Sequence, residues 1–249
     1  MFNIFIVSGH NKWSKIKRGK ESKDKARGNI FSKFSRLITL AVIEGGGIGD
    51  QANNIKLRLA VDKAKQFNMP KDNINRAIER ASGPDRAQLK EVFYEGFAPG
   101  GVALIIQATT DNANRTLSEI RNILEKHQGK LGSSGSVNYL FQRCGLVVFE
   151  KNKAKQEQVL EFAEKIDAFD IDEDEETFSV YFSFENLGKV DDFLAGLKAN
   201  PPELDYKPNS IITISDKAMR QRIVNLIDAM EDLDEVHKVF SNLNFVCES

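Results

Sequence analysis

The hydrophobic periodicity of the chain changes at Ser82-Gly83-Pro84. Before this point apolar residues recur at three- and four-residue steps in three runs, each ended by glycine or proline, which predicts three amphipathic helices. After it, alternating or continuous apolar runs of strand length take turns with helical runs. The sequence therefore predicts an α+β fold, with an N-terminal three-helix domain followed by two ferredoxin-like α+β domains.

The helices and strands can be placed approximately from these runs. The first helix is expected to begin near Ile30 and to end at Gly45-Gly46-Gly47, and the third to begin at Pro70, with Asp72 favourable near its positive end. Predicted strands cover 102–108, 137–141, 146–149, 178–184, 211–214 and 236–240, and predicted helices carry 117–124, 159–166, 187–197 and 219–230. Asp111 or Asn112 and Ser215 or Asp216 are candidate helix caps. The strand at 178–184 alternates and is expected to be half-buried.

The net charge of −1 hides two oppositely charged parts. Residues 1–83 contain 17 Lys and Arg against 7 Asp and Glu, whereas residues 84–249 contain 18 against 29. Such an asymmetry predicts an N-terminal domain that meets a polyanion and a remainder that does not.

The positive charge is concentrated in residues 9–36, which carry ten cations against Glu21 and Asp24. Several long cationic side chains in one stretch are what phosphate recognition requires. The candidate ligands in its first part are Lys12, Lys15, Lys17, Arg18, Lys20, Lys23, Lys25 and Arg27, with His10 adjoining them. Trp13 either stacks on an unpaired base or anchors the segment to the helices, and a purely solvated flank is the alternative for the charges.

Several motifs have simpler explanations than a ligand site. Residues 47–52 match the dinucleotide pattern GxGxxA but follow a predicted helix, where a cofactor loop has to follow a strand. We interpret 96–101 as a tight turn between strands and Gly132-Ser133-Ser134-Gly135-Ser136 as a connection, with phosphate contact as the alternative for both. The acidic stretch Asp170–Glu176 lacks the spacing of a calcium loop and is expected to be a solvated loop that repels nucleic acid.

Composition and spacing argue against the other functional classes. Cys144 and Cys247 are far apart and the three histidines stand singly, so we expect neither a disulfide framework nor a metal site. No paired catalytic carboxylates, thiol–histidine couple or phosphate-binding loop is evident, so we predict a non-enzyme without a cofactor or small-molecule substrate. No apolar stretch is long enough to span a bilayer, and the short apolar start 1–7 lacks a signal-peptide pattern, which indicates a protein of a reducing, aqueous compartment.

Five blocks of residues, in order along the chain, resemble the YebC/TACO1 family of regulatory factors. They are Gly9-His10-Asn11-Lys12-Trp13-Ser14-Lys15-Ile16-Lys17, Asn68-Met69-Pro70-Lys71-Asp72-Asn73-Ile74, Tyr94-Glu95-Gly96-Phe97-Ala98-Pro99-Gly100-Gly101-Val102, Thr110-Asp111-Asn112-Ala113-Asn114-Arg115-Thr116 and Gly132-Ser133-Ser134-Gly135-Ser136-Val137. The match covers residues 8–245. Asn11 and Arg18-Gly19 depart from the Ser and His-Arg that are common in bacterial members.

The resemblance implies a fold with the third domain inserted in the second. The expected domains are 1–83, then 84–134 together with 208–249, and 135–207 as the insertion. It also implies nucleic-acid-binding roles for His10, Lys12, Trp13, Lys15, Lys17, Lys71 and Asn73.

Members of this family look like either ribosome-associated translation factors or DNA-binding transcriptional regulators. We favour a translation factor that contacts ribosomal or transfer RNA through the basic domain, because shape and phosphate contact suit a single basic segment better than base readout. The alternative, a DNA regulator, would need a groove-entering helix and usually a two-fold dimer, for which no seam is evident. A monomer in the cytoplasm is expected, with the mitochondrial matrix as the alternative compartment.

Overall fold

The computed structural model describes residues 23–82 and 88–244 and divides into a helical part and two sheets. The helices are α1 (Lys23–Glu44), α2 (Ile55–Gln66), α3 (Lys71–Ser82), α4 (Ala113–Lys126), α5 (Gln156–Lys165), α6 (Val190–Phe193) and α7 (Lys217–Glu231). The strands are β1 (Lys90–Phe97), β2 (Ala103–Thr110), β3 (Lys130–Leu131), β4 (Phe141–Glu150), β5 (Ala168–Glu173), β6 (Thr177–Ser183), β7 (Glu203–Pro208) and β8 (Val236–Ser241). None of the described helices is long and apolar enough to cross a membrane.

Helices α1 to α3 form a three-helix bundle, called the head below, and residues 88–244 are called the body. The head has an apolar core of its own, in which Ile38 and Leu57 are fully buried. Asn54 caps α2 by accepting the backbone N–H of Leu57 at 3.0 Å, and its amide donates to the backbone oxygens of Ala41 (2.9 Å) and Ile48 (3.0 Å). One buried side chain thereby ends one helix and starts the next.

The first sheet of the body has the strand order β3-β1-β2-β8, with every neighbouring pair antiparallel. Helices α4 and α7 bury their apolar stripes, including Ile120 and Ile223, in the same core as Leu104 and Ile106 of β2. Asn112 and Asp216 provide the N-caps of these two helices, as predicted.

The second sheet has the order β5-β6-β4-β7, also antiparallel throughout. Its chain order, β4-α5-β5-β6-α6-β7, is the strand-helix-strand repeat of a ferredoxin-like domain. All four strands lie in the sequence between β3 and β8, so the second α+β domain is inserted in the first, and the predicted fold class is confirmed. The first sheet differs from this repeat, because it begins with the β1–β2 hairpin. The residue boundaries proposed for the domains stay a prediction.

Tyr206 connects the two sheets through aromatic contacts. Its ring lies 5.7 Å from that of Phe93 and 5.0 Å from that of Phe240, on the face of the first sheet opposite α4 and α7. The inserted domain is therefore docked on the first sheet by buried apolar area rather than by its connections alone.

Several local predictions were wrong. Residues 211–214 form only an isolated bridge between Ile212 and Leu243, because the chain leaves the sheet at Asn242, whose side chain accepts the N–H of Ala103. The strand expected at 137–141 starts only at Phe141 and follows a 3-10 turn. The helix expected over 187–197 is reduced to α6, which Gly188 and Gly196 flank.

Two further wrong predictions concern the acidic stretch and the strand β6 beside it. Residues 170–173 belong to β5, and Asp172 is buried beneath the ammonium of Lys207 at 2.8 Å. The same ammonium lies 3.9 Å from the centre of the Tyr181 ring. The side chain of Lys207 covers this face of the sheet, so β6 is buried on both faces rather than half-buried. Most of the carboxylates of β5 face Lys207 rather than open solvent.

Candidate nucleic-acid interface

The structure describes only part of the predicted basic site. His10, Lys12, Trp13, Lys15, Lys17, Arg18 and Lys20 lie outside the described residues, so their roles stay a prediction. Lys23, Lys25 and Arg27 occupy the first turns of α1, which begins at Lys23 rather than near Ile30. Lysine, alanine and arginine favour helix without an apolar stripe, which explains why the helix extends beyond the periodic pattern.

The described contacts that hold α1 in place begin at Asn29. Its side-chain amide donates to the backbone oxygen of Asp232 at 3.0 Å, and Phe34 packs on Phe67 with ring centres 5.1 Å apart. A Cβ at Gly28 would meet no heavy atom within 4 Å. The helical positions 23–27 therefore precede the contacts that anchor α1, and they continue the basic segment along the chain.

The block around Pro70 is explained mainly by helix geometry. Asn68 adopts a φ of 58°, and the N–H of Met69 donates to the oxygen of Ala64 at 3.1 Å, which ends α2. Met69 is buried in the head core. Lys71, at the start of α3, is exposed and available to a phosphate, whereas the side-chain oxygen of Asn73 accepts a hydrogen bond from Arg76.

Other cations of the head face the body. Arg36 of α1 approaches Glu235 at 3.8 Å, Arg58 of α2 pairs with Asp191, and Lys63 of α2 pairs with Glu203. The positive charge of the head is therefore divided, because Lys33, Arg36, Arg58 and Lys63 contact the body whereas Lys71 is exposed. The contact region between head and body is called the joint below. Sequence reasoning missed this joint, although the opposite net charges of the two parts carried the signal for it.

His237 of β8 lies among these cations. Both ring nitrogens are buried, and neither has a hydrogen-bond partner among the described residues. Burial, and after it the nearby charges of Lys33, Arg36 and Lys63, lower the pKa of this imidazole to about 3. The ring is therefore neutral at physiological pH, which keeps an added positive charge out of the joint.

The block 110–116 forms a hydrogen-bond network around Glu235. This buried carboxylate accepts from the guanidinium of Arg115 and the hydroxyl of Thr116, and the same hydroxyl lies 2.9 Å from that of Thr110. The partnership with Glu235, and then that with Asp111, raises the pKa of Arg115. The block thus stabilises the start of α4 and holds the carboxylate that Arg36 approaches.

The blocks 94–102 and 132–137 are joined by Glu95 of β1. Its carboxylate accepts the backbone N–H groups of Gly135 (2.6 Å), Val137 (2.6 Å) and Asn138 (3.0 Å). The serine-rich loop is therefore folded around a carboxylate, in the manner of an anion-binding loop whose anion belongs to the protein. This occupancy favours the connection that we predicted over phosphate contact.

Comparison with known proteins matches two family models to nearly the whole chain. Residues 11–84 match the TACO1/YebC protein N-terminal domain, and residues 89–243 match the TACO1/YebC second and third domain. A protein of Finegoldia magna is 41% identical over 239 residues, which are 95% of this chain and 98% of that protein. One of Herpetosiphon aurantiacus is 44% identical over 241 residues, covering 95% and 94%. Both are named probable transcriptional regulatory proteins.

A solved structure supports the same relationship. The crystal structure of a conserved hypothetical protein of Aquifex aeolicus superposes with a TM-score of 0.83 at 39% identity. It covers 92% of this chain, and the match spans 95% of that protein. The arrangement of a helical part and two antiparallel sheets is therefore common to both proteins.

Proposed function

This chain belongs to the TACO1/YebC family, and from that premise we propose that it is a nucleic-acid-binding regulator of gene expression. In its specific form the proposal is a ribosome-associated translation factor that contacts ribosomal or transfer RNA through the basic N-terminal domain. The names of its relatives support a regulatory role. They do not distinguish RNA from DNA, so the argument for RNA comes from the residues.

The observation that carries the proposal is the division of the ten cations in residues 9–36. Lys33 and Arg36 contact the body, whereas the eight others precede Asn29, where the described anchoring contacts of α1 begin. Charges that stabilised only the joint would not be needed in this preceding segment. A run of eight cations is sufficient for several simultaneous phosphate contacts, each of which releases a condensed counterion.

The exposed face of α3 argues against base readout in a DNA groove. It presents Asp72 and Glu79 together with Arg76 and Arg80. A recognition helix in the major groove lies between two phosphate backbones, so Asp72 and Glu79 would offset part of the attraction that Arg76 and Arg80 provide there. Phosphate and shape recognition by the preceding segment, with Lys71 beside it, places no such demand on α3.

The remaining features of the proposal follow from the same interpretation. The protein acts without a catalytic residue, cofactor or small-molecule substrate, and as a monomer. The cytoplasm is the proposed compartment, and the mitochondrial matrix is the alternative.

The test is the salt dependence of binding to a short fluorescein-labelled oligouridylate. Replacing Lys12, Lys15, Lys17 and Arg18 by Ala should flatten the slope of log K against log salt by about 0.7 for each lost phosphate contact, or about 3 in total. The matched control replaces the exposed body residues Arg121, Lys130, Lys198 and Lys217 by Ala, which removes the same charge and should leave the slope almost unchanged. An unchanged slope in the first variant would refute the assignment of this segment.

A second measurement separates the two gene-regulatory roles. Co-sedimentation with ribosomes that is lost in the quadruple variant supports the translation factor. A shift of promoter fragments over unrelated duplexes, together with no ribosome binding, would instead establish the DNA regulator.

A further inference from the structure

The described apolar clusters of the head and of the body are separate. The apolar core of the head contains only residues 30–81, and the described apolar clusters of the body contain only residues from 92 onwards, with none shared. An open cleft of about 280 Å³ lies between α2 and the inserted domain, lined by Leu59 and Gln66 on one side and by Leu194 and Pro201 on the other. The head is therefore not held to the body by a continuous hydrophobic core.

Ion pairs contribute to the joint, beside the hydrogen bonds of Asn29 and Lys33 to the backbone oxygens of Asp232 and Glu231. The carboxylates of these ion pairs come from separate segments. Asp191 is in α6, Glu203 is at the start of β7, and Glu235 precedes β8. Glu203 also accepts from Lys238 of β8 at 3.2 Å. One carboxylate thus connects the head, the inserted domain and the strand that completes the first sheet.

Two of these pairs are open to solvent. The side chains of Arg58 and Asp191 retain 36% and 44% of their accessible surface, and those of Lys63 and Glu203 retain 39% and 26%. Exposed pairs are weak and are screened by salt. Another anion can therefore replace the carboxylate at a small cost.

The cations of the joint are the residue types that bind phosphate. Arg58 and Lys63 lie on α2, and Arg36 lies on α1, the helix that begins with Lys23, Lys25 and Arg27. A nucleic acid bound at the start of α1 would reach this face only after the body carboxylates had left it. In the docked arrangement these carboxylates occupy the places that phosphates would take.

We propose that Arg36, Arg58 and Lys63 form a second phosphate-binding face of the head, and that Asp191, Glu203 and Glu235 compete for it within the same molecule. The proposal rests on the proposed function, since the competing ligand is a nucleic acid. When only a fraction of the molecules has an open face, the apparent dissociation constant rises in inverse proportion to that fraction. Docking of the head on the body therefore lowers the affinity for nucleic acid.

The experiment weakens the competitor and leaves the phosphate ligands intact. The variant Asp191→Asn with Glu203→Gln should bind the labelled oligouridylate about two- to tenfold more tightly, because each exposed pair is worth a factor of about five or less. Its salt slope should be steeper by about 0.7 for each newly formed contact, up to two contacts. Amide exchange in α2 of the free protein should be faster than in the wild type, since the head is released more often.

The matched control is Glu125→Gln with Glu164→Gln, which removes two exposed carboxylates of the body from α4 and α5. It should reproduce any general electrostatic gain in affinity without a steeper slope or faster exchange in α2. If Asp191→Asn with Glu203→Gln does not differ from this control, the competition is refuted while the proposed function stands.

Two further results have a defined meaning. If the wild-type protein binds neither the oligouridylate nor a duplex of the same length at low salt, the proposed function fails and the competition fails with it. If the double variant is misfolded by near-UV circular dichroism, Asp191→Asn alone decides, because this carboxylate is exposed and its removal leaves Lys238 paired. A single variant with the slope of the wild type would then overturn the proposal.

Discussion

Replacing Glu95 by Ala should unfold the loop 132–138 locally without disrupting β1. The carboxylate accepts three backbone N–H groups, from Gly135, Val137 and Asn138. Replacement by a methyl group removes both acceptor oxygens, and with them all three hydrogen bonds. The side chain is only half-buried, so the strand itself has little apolar contact to lose.

The expected cost follows from the surroundings of each donor. The N–H groups of Gly135 and Asn138 are exposed and can bond to water, whereas that of Val137 is partly buried and its side chain is fully buried. A buried donor without an acceptor costs about 1–3 kcal/mol. Exchanging the two exposed, charge-assisted bonds to the carboxylate for bonds to water adds a smaller amount. We therefore expect about 2–4 kcal/mol for Glu95→Ala, and about half of this for Glu95→Gln, which keeps one acceptor oxygen.

The measurement is amide exchange of the peptide covering 132–141, because separate units of a multidomain chain need not unfold together. A loss of 2 kcal/mol corresponds to roughly 30-fold faster exchange. The control is Glu91→Ala on the same strand, where one bond from the Gln107 amide at 2.7 Å is lost and a cost below about 1 kcal/mol is expected. Equal exchange in the two variants would refute the role assigned to Glu95.

Three further outcomes are expected. The pKa of His237 in the folded protein, about 3, lies below its ordinary value of 6.5, so the contribution of the neutral ring to the free energy of unfolding is fully present above pH 6.5 and is lost as the pH falls towards 3, by at most about 1.4 kcal/mol per pH unit. His237→Gln should flatten this decline in urea titrations. Asn54→Ala removes a cap and two buried donors and should cost about 2–4 kcal/mol by denaturant unfolding, whereas Asn53→Ala, with its exposed bond to Asp50, should cost under about 1 kcal/mol. Burial raises the pKa of Cys144 to about 12, so its thiol should resist iodoacetamide in the native protein and react after denaturation; rapid native labelling would contradict this placement.

The repeating patterns of the sequence predicted the elements that are buried on one side. Helix α4 follows directly from its apolar stripe and from Asn112, because both signals are local. The strand β5 could not be predicted in this way, since Asp170 and Asp172 suit a strand only when Lys207 reaches them across the sheet. That contact spans strands that are distant in the sequence.

The candidate site was predictable in charge but not in arrangement. The excess of cations identified the head as the basic part, yet nothing local distinguishes Lys25 from Lys33, which donates to the backbone of Glu231. The contact of Lys33 depends on where the body meets α1. Likewise, Glu95 gains its role only because the loop 132–138 folds back on it, and its sequence neighbours contain no sign of this.

The insertion of one domain within another also sets an order for the biosynthesis of this protein. Strand β2 has no partner on one edge until β8, more than one hundred residues later, has left the ribosome. The first strand of the insertion begins beside the end of its last strand, since Phe141 pairs with Pro208. Prior folding of that domain therefore roughly halves the effective loop and lowers its closure cost by about 0.6 kcal/mol. A nascent chain released before residue 236 would keep a bare strand edge and be prone to aggregation.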